Sequence, residues 1–142
     1  MASANFTNLP RHLAKGDIDF DTATFKVLLV SAIPSEANLD AWVNRSDVTL
    51  EITGTGYSAG GIAQAFTLAA VDTTNNRQSV TYTDITNGWT SASFSALGAI
   101  IYLNTGVAAN DKLLHLIDFG GTITCTNGNF SITYSTPFYI NR

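Results

Sequence analysis

Short runs in which apolar and polar residues alternate recur along most of this chain, and small polar turns separate them. The runs include VTLEI at 48–52, SVTYTDI at 79–85 and FSITY at 130–134, and LLHLIDF at 113–119 is a further strand-like run. Alternation with a period of two is typical of a strand with one face in the core. About eight short strands, with no helices to cover a parallel sheet, predict an all-β, jelly-roll-like antiparallel β-sandwich.

Two segments depart from this alternation. The run FKVLLVSAI at 25–33 is apolar at almost every position and ends before Pro34, which predicts a strand buried on both faces. The segment SEANLDAWVNRSD at 35–47 predicts one or two helical turns, with Ser35 or Asn38 as the N-cap.

Turn residues set the predicted strand boundaries. VTLEI at 48–52 and IAQAFTLAAVD at 62–72 are predicted strands on either side of GTGYSAGG at 54–61. The spacing of Ile62, Phe66 and Leu68 would also suit a helix. Further turn signals are NG at 87–88, GG at 120–121 and NGN at 127–129. Asn-Gly is a favoured hairpin dipeptide, so several short strands are predicted between residue 79 and residue 134.

The first residues of the chain are predicted to form a separate element. A short helix is expected from about Asn8 to Lys15, because Pro10 suits a first turn and Gly16 suits a helix end. Neither a repeat nor a linker divides the remaining residues. The sequence therefore predicts an N-terminal leader arm at 1–16 and one β-sandwich domain at 17–142.

Charge is scarce in this chain of 142 residues. Only 13% of the residues are charged, against roughly a quarter in ordinary domains. The net charge is -4 and the few basic residues do not cluster, which argues against a nucleic-acid partner. The apolar runs are too short to span a bilayer and no signal-peptide pattern is present, so we expect a soluble protein with no membrane partner. Cys125 is alone and is expected to be a small core residue.

GYSAG at 56–60 matches the Gly-x-Ser-x-Gly signature of serine hydrolases. Ser58 is followed by Asp84 or Asp111 and then by His115, which is the order of the hydrolase triad. A nucleophile elbow also needs a helix directly after the serine, however, and the residues after Gly61 favour a strand. We therefore expect a glycine-rich corner, no catalytic residues and no enzymatic activity.

Asp17, Asp19 and Asp21 alternate as the first ligands of a calcium-binding loop do. Thr22 and Leu28 stand where such a loop needs glycine and glutamate, so we expect Ile18 and Phe20 to face the core and the carboxylates to face water. An incidental cation site at these carboxylates is the alternative. His12 and His115 have no metal-ligand spacing, so neither a metal nor a cofactor is predicted.

Aromatic residues offer another possible function. Trp42, Tyr57, Trp89, Tyr102 and Tyr139 could form a platform on which sugars stack. Aromatics scattered along a chain are more often core and rim residues, so a glycan-binding module is kept as an alternative.

Several motifs together resemble small virion proteins of tailed bacteriophages. These motifs are KGDIDFDTATFKVLLV, GTGYSAGGIA, LNTG, HLIDFGG and NGNFSITY, in this order over residues 5–134. The resemblance is carried by their order and spacing, since each motif alone is only a turn or strand pattern.

The resemblance implies a capsid cement, or decoration, protein that binds the outer head surface and bridges capsid subunits. It implies synthesis in the host cytoplasm, a location on the virion exterior and the major capsid protein as partner. Self-association is also expected, with a dimer favoured. The apolar leader residues have no evident core to join, so the predicted contacts with the capsid are Phe6, Leu9, Arg11 and Leu13. A tail or fibre component that binds glycans is the alternative role.

Overall fold

The computed structural model describes residues 3–141, which form two antiparallel sheets. The helices are α1 (Leu9–Lys15) and α2 (Glu36–Ala41), followed by a 3₁₀ turn at Arg45–Asp47. The strands are β1 (Ala4–Asn5), β2 (Phe25–Val30), β3 (Ile62–Gln64), β4 (Phe66–Leu68), β5 (Arg77–Tyr82), β6 (Ile85–Leu103), β7 (Leu113–Ile132) and β8 (Phe138–Asn141). The predicted all-β class is confirmed.

The larger sheet has the strand order β1-β7-β6-β2-β3 and the smaller one β4-β5-β8. The chain passes from one sheet to the other at Ala65, which lies between β3 and β4. Gln64 holds this crossing, because its buried side-chain amide donates to the carbonyl oxygens of Ala65 and Thr83, at 2.8 Å each.

Strand β2 is buried on both faces, as its continuous apolar sequence predicted. Val27 and Leu29 join a core that also includes Val80 and Tyr82 of β5. Leu28 and Val30 lie on the opposite face of β2. They join a second core with Leu39 of α2 and with Trp42, which follows α2 directly. Ser35 caps α2, accepting a hydrogen bond from the backbone of Asn38 at 3.3 Å, so one of the two predicted caps is confirmed.

The short strand predicted at 79–85 corresponds to β5 (Arg77–Tyr82), but one long hairpin replaces the series of short strands predicted after it, up to residue 134. β6 is 19 residues long and β7 is 20, and they pair antiparallel along most of their length. The predicted turns at 87–88, 120–121 and 127–129 lie inside these strands. The register shifts between pairs along the hairpin, so these residues form bulges.

The bulges explain why turn residues occur within strands. Asn87 and Asn127 have φ of 52° and 46°, and Gly120 has φ of 77°. Between Ala96 and Gly98 β6 takes two steps, while its partner β7 takes five from Ile123 to Asp118. Asn and Gly tolerate this left-handed backbone, which bulges and hairpin turns both require.

Residues 48–52 do not form the predicted strand. They run beside β2 with one isolated bridge, between Val30 and Glu51, and with backbone hydrogen bonds from Ser31 to Leu50 and from Ile52 to Leu29. Ile52 is buried, so the alternation correctly indicated an inward-facing side chain without giving the element type.

Candidate functional site

A cavity of about 650 Å³ lies between the two sheets, and residues of β1, β7, β5 and the C-terminal segment line it. Its walls are mixed: aromatic side chains such as Tyr82, Phe130 and Phe138 alternate with several serines and threonines and with Asn5. Among the described residues of the lining, Asp118 is the one charged side chain if His115 is neutral. Ligand sites typically have volumes of about 300–1,000 Å³, so this cavity has the size of a ligand site.

His115 lies in the wall of this cavity and is 1% exposed. Burial lowers its pKa well below the usual value, so the ring is neutral. Nδ1 lies 3.1 Å from Oδ1 of Asn5 in β1. An amide oxygen only accepts, so Nδ1 carries the proton and Nε2 is left as an acceptor. Nε2 has no hydrogen-bond partner within residues 3–141.

Tyr82 stands next to His115, with 5.6 Å between the ring centroids. Its hydroxyl is buried and has no partner in the described part of the chain, and burial raises its pKa. Tyr134, whose ring is tilted against that of Tyr82, instead donates its hydroxyl to Oε1 of Gln64 at 2.5 Å. His115 and Tyr82 therefore each leave one fully buried polar atom beside the cavity without a partner in the described part of the chain.

The outer edge of β7 borders the same cavity. β1 pairs with β7 only at His115 and Leu116, and Ser3 accepts a hydrogen bond from the backbone of Asp118 at 2.9 Å. No strand among the described residues pairs with this side of β7 from Phe119 to Ile132. An open strand edge presents free backbone groups to which another strand can pair.

Residues 85–97 of β6 and 119–132 of β7 contain no charged side chain, and we call this part of the hairpin the neutral ribbon. One face contributes Trp89, Phe94 and Phe130 to the core. The other face exposes serine, threonine and asparagine, such as Ser95 and Thr124, whose hydroxyl oxygens lie 2.8 Å apart. A surface of this kind can be covered without removing ions from water.

The four leader residues predicted to contact the capsid have different environments. Phe6 is completely buried against α2 and β7, and Leu9 is 2% exposed in the core between the sheets. Leu13 is half-buried against that core, and Arg11 is exposed. The expectation that these apolar residues lack a core is therefore wrong. In this conformation only Arg11 and part of Leu13 are accessible to a partner.

The residues of the hydrolase pattern are not assembled into a triad. Ser58 is exposed in a loop that leads to strand β3 rather than to a helix. His115 contacts Asn5 and Tyr82 instead, and Asp111 accepts a hydrogen bond from Arg45 at 2.8 Å. Asp84 accepts one from the backbone of Tyr134.

GTGYSAGG instead holds a corner of the fold together. The hydroxyl of Tyr57 donates to Glu51 at 2.8 Å and accepts from the backbone of Leu29 at 3.1 Å. The hydroxyl of Tyr102 donates to the carbonyl of Gly60 at 2.6 Å. Gly61 has φ of 68° and lies directly against Val27 of β2. The corner therefore connects residues 48–52 with β2 and β6 of the larger sheet.

The aspartates near the leader have local partners. Asp17 lies 3.0 Å from His12, and this hydrogen bond lowers the pKa of Asp17. Asp19 accepts from the backbone of Asp21 in a tight turn. Ile18 is buried and Phe20 packs against the core, as the alternation predicted. Within residues 3–141 no group of three or more His, Cys, Asp or Glu side chains is placed to hold a metal ion.

The aromatics of the predicted sugar platform do not share an exposed face. Trp42, Trp89 and Tyr102 are buried, and Tyr57 is engaged in the corner. Tyr139 is half-buried and lies under Arg77, whose guanidinium carbon is 3.8 Å from the ring centroid. Cys125 is a free, partly buried thiol at the margin of the core.

Sequence reasoning missed the cavity and the open edge of β7. His115 was considered only as a triad or metal residue, and Tyr82 was not considered at all. No charged residue lies between Phe119 and Asn141, and since edge strands usually carry charges that discourage pairing, the sequence pointed away from an open edge here.

In comparisons with protein-family models, curated proteins and solved structures, nothing matches this chain. None of the helices within residues 3–141 has the length and apolar character needed to cross a membrane.

Proposed function

We propose that this protein is a non-enzymatic bacteriophage capsid cement protein, which binds the major capsid protein on the outer head surface and bridges capsid subunits. It is made in the host cytoplasm and also associates with itself, with a dimer favoured. The motif resemblance suggests the role. The observation that carries the proposal is the neutral ribbon with its open β7 edge. The jelly-roll topology remains a prediction, as the cement role does.

The ribbon has the physical properties that such a role requires. A cement protein must cover broad surfaces of its partners, and the neutral ribbon can do so without burying unpaired charges. The open edge from Phe119 to Ile132 adds backbone donors and acceptors for a strand from a neighbouring subunit. The bulges at 119–122 and 126–127 restrict regular pairing to the few residues between them, which favours one partner segment over indiscriminate aggregation.

We therefore propose a contact surface mainly on β7, and only in part on the leader. Phe6 and Leu9 stabilise the fold, while Arg11 and the exposed part of Leu13 remain proposed partner contacts. Binding only to the assembled shell would stabilise it by mass action.

The test is binding to capsids that lack the protein, measured by co-sedimentation and imaged by cryo-electron microscopy. The double variant Thr122→Lys/Thr126→Lys places two charges on the exposed β7 edge. We expect it to fold normally and to lose capsid binding at least tenfold, because lysine on an edge blocks strand pairing. The matched control Thr73→Lys/Thr74→Lys adds the same charge on an exposed turn and should bind as the wild type does.

Equal binding by the two double variants would exclude the β7 edge as the contact. Wild-type protein that leaves the capsids bare would overturn the cement role and favour a tail or fibre position.

A further inference from the structure

We infer that the open edge of β7 pairs antiparallel with the same edge of a second copy, around a two-fold axis at Thr124, so that the larger sheets of two molecules join. This pairing places Thr122 of each copy opposite Thr126 of the other, and Ile123 opposite Cys125. The inference rests on the proposed function and deepens it, because it names a second copy of this chain as the neighbouring subunit that adds a strand to β7.

The sequence of this edge reads almost the same in both directions. Residues 120–128 are GGTITCTNG, with Thr124 at the centre, threonine two positions to either side and glycine four positions to either side. Antiparallel pairing around a two-fold axis matches each residue with the one at the mirrored position. Threonine would therefore face threonine at the centre and at both ends of the paired stretch, and such pairs are favourable across strands. A strand from an unrelated protein would not require this symmetry.

The backbone confines the pairing to the same symmetric stretch. Gly120 has φ of 77° and Asn127 has φ of 46°, so left-handed residues interrupt the strand on both sides of Thr124. Between them, residues 123–125 pair with residues 94–96 of β6 without a register shift. The regular part of the open edge is thus short and centred on the proposed axis.

The core side of this edge lacks the cover that a further strand would give. Ile123 pairs with the buried Ala96, so both side chains lie on the core face of the sheet. Ile123 is nonetheless 46% exposed, and it lies in the wall of the cavity beside β7. Cys125 is on the same face and is only partly buried. In the dimer Ile123 of each copy lies next to Cys125 of the other, which removes apolar surface of both from water.

The distribution of charge also favours pairing at this edge. The chain has a net charge of -4, so two copies repel each other overall. No residue from Phe119 to Asn141 is charged, and pairing around Thr124 therefore sets no like charges opposite each other. A dimer joined here would present two capsid-binding surfaces, and their joint binding would be tighter than that of either surface alone.

The main test compares two variants of the full-length protein that differ in the sign of one charge. Thr122→Lys/Thr126→Lys, the like-charge variant, places lysine opposite lysine twice in the dimer. Thr122→Lys/Thr126→Glu, the opposite-charge variant, places lysine opposite glutamate twice. Sedimentation equilibrium measures dimerisation without capsids. We expect the wild type and the opposite-charge variant to form dimers of twice 15.1 kDa, and the like-charge variant to dimerise at least tenfold more weakly than the opposite-charge variant.

A disulfide experiment locates the axis. Cys125→Ser removes the native thiol, and Thr124→Cys or Thr126→Cys then supplies a single new one. With the axis at Thr124 the two thiols at 124 meet, whereas those at 126 lie about 13 Å apart along the strands, beyond the reach of a disulfide. Mild oxidation should therefore link copies of the first variant and leave the second as single chains. Equal cross-linking of both variants would exclude this axis.

The remaining outcomes separate this inference from the proposed function. Both charge variants should unfold at the wild-type temperature, since Thr122 and Thr126 are exposed. Equal dimerisation of the two charge variants would overturn the inference. If the wild type is monomeric and both charge variants lose capsid binding, a capsid strand occupies the edge, so the inference fails and the proposed function stands. If the dimers form as expected but leave capsids bare, the inference stands and the proposed function fails.

Discussion

Gly61 and Gly106 differ in how closely other segments of the chain approach them. Gly61 has a left-handed backbone, and a Cβ placed on it would overlap the carbonyl oxygen of Val27. Gly106 is also left-handed, with φ of 85°, but nothing lies within 4 Å of the same added atom. Alanine substitutions at these two glycines therefore distinguish the cost of backbone strain alone from the additional cost of a steric clash.

We expect Gly106→Ala to lower the free energy of unfolding by about 1–2 kcal/mol, the cost of a left-handed L-residue. Gly61→Ala should cost about 3 kcal/mol or more, because the backbone of Val27 cannot move away without disturbing β2. Urea unfolding of both variants measures the difference. Equal losses would mean that Gly61 is required only for its backbone conformation.

Asp111 is the most completely buried carboxylate described, and three hydrogen bonds support it. Arg45 donates at 2.8 Å, and Thr105 donates from its backbone at 2.7 Å and from its hydroxyl at 2.8 Å. Burial alone would raise the pKa of Asp111, but the hydrogen bonds from Arg45 and Thr105 outweigh it and lower the pKa. The ionised form is therefore the one that stabilises the fold.

Asp111→Asn should lower the unfolding free energy by about 3 kcal/mol at pH 7, since it leaves Arg45 without its counter-charge. The gap between variant and wild type should narrow as the pH falls below about 4, because the unfolded chain then binds a proton at Asp111 that the folded chain, with its lowered pKa, does not bind until the pH is lower still. Asp21→Asn, at an exposed turn, should change stability by less than about 0.5 kcal/mol. A gap that stays constant down to about pH 2 would contradict this account.

At the scale of elements, the N-terminal segment belongs to the core rather than forming a free arm. β1 adds to the edge of β7, and Phe6 donates a backbone hydrogen bond to Leu114 at 3.0 Å. α1 follows at once and buries Leu9 on the opposite side of the sheet. The segment thus crosses from one core to the other.

Phe6→Ala should cost about 3–5 kcal/mol, as expected for a phenylalanine removed from a packed core. Arg11→Ala, on the exposed side of α1, should cost less than about 0.5 kcal/mol. Thermal unfolding of the two variants checks this. If Phe6→Ala left the unfolding temperature unchanged, the leader would be a detachable arm and not part of the core.

Across the whole molecule, His115 connects the two sheets. It extends from β7 of the larger sheet, bonds to Asn5 of β1, and contacts Tyr82 of β5 and Phe138 of β8. Because burial lowers its pKa, the unfolded chain binds a proton near pH 6.5 that the folded chain does not. Acidification through this range therefore favours unfolding.

We expect the unfolding free energy to fall by up to about 1.4 kcal/mol for each pH unit below 6.5. Urea unfolding at pH 7.5 and pH 5.5 measures the decline, and His115→Gln should remove most of it. If the unfolding free energy of His115→Gln declined with pH as much as that of the wild type, another titratable group would be responsible.

The sequence by itself determined what depends on local periodicity and local backbone preference. The period of two, the apolar run at 25–33 and the cap at Ser35 identified the all-β class, a doubly buried strand and the start of α2 correctly. Such patterns show which side of a helix or strand faces the core. This can be predicted because it depends only on residues that are close together in the sequence.

Only the tertiary structure decided which strands pair and what lies between the sheets. Asn-Gly adopts the same left-handed backbone in a hairpin turn and in a bulge, so the dipeptide at 87–88 could not distinguish one long strand from two short ones. The burial of Phe6 and the meeting of His115 with Tyr82 join residues far apart in the chain. Such contacts cannot be predicted from local sequence, because they form only when the two sheets pack against each other.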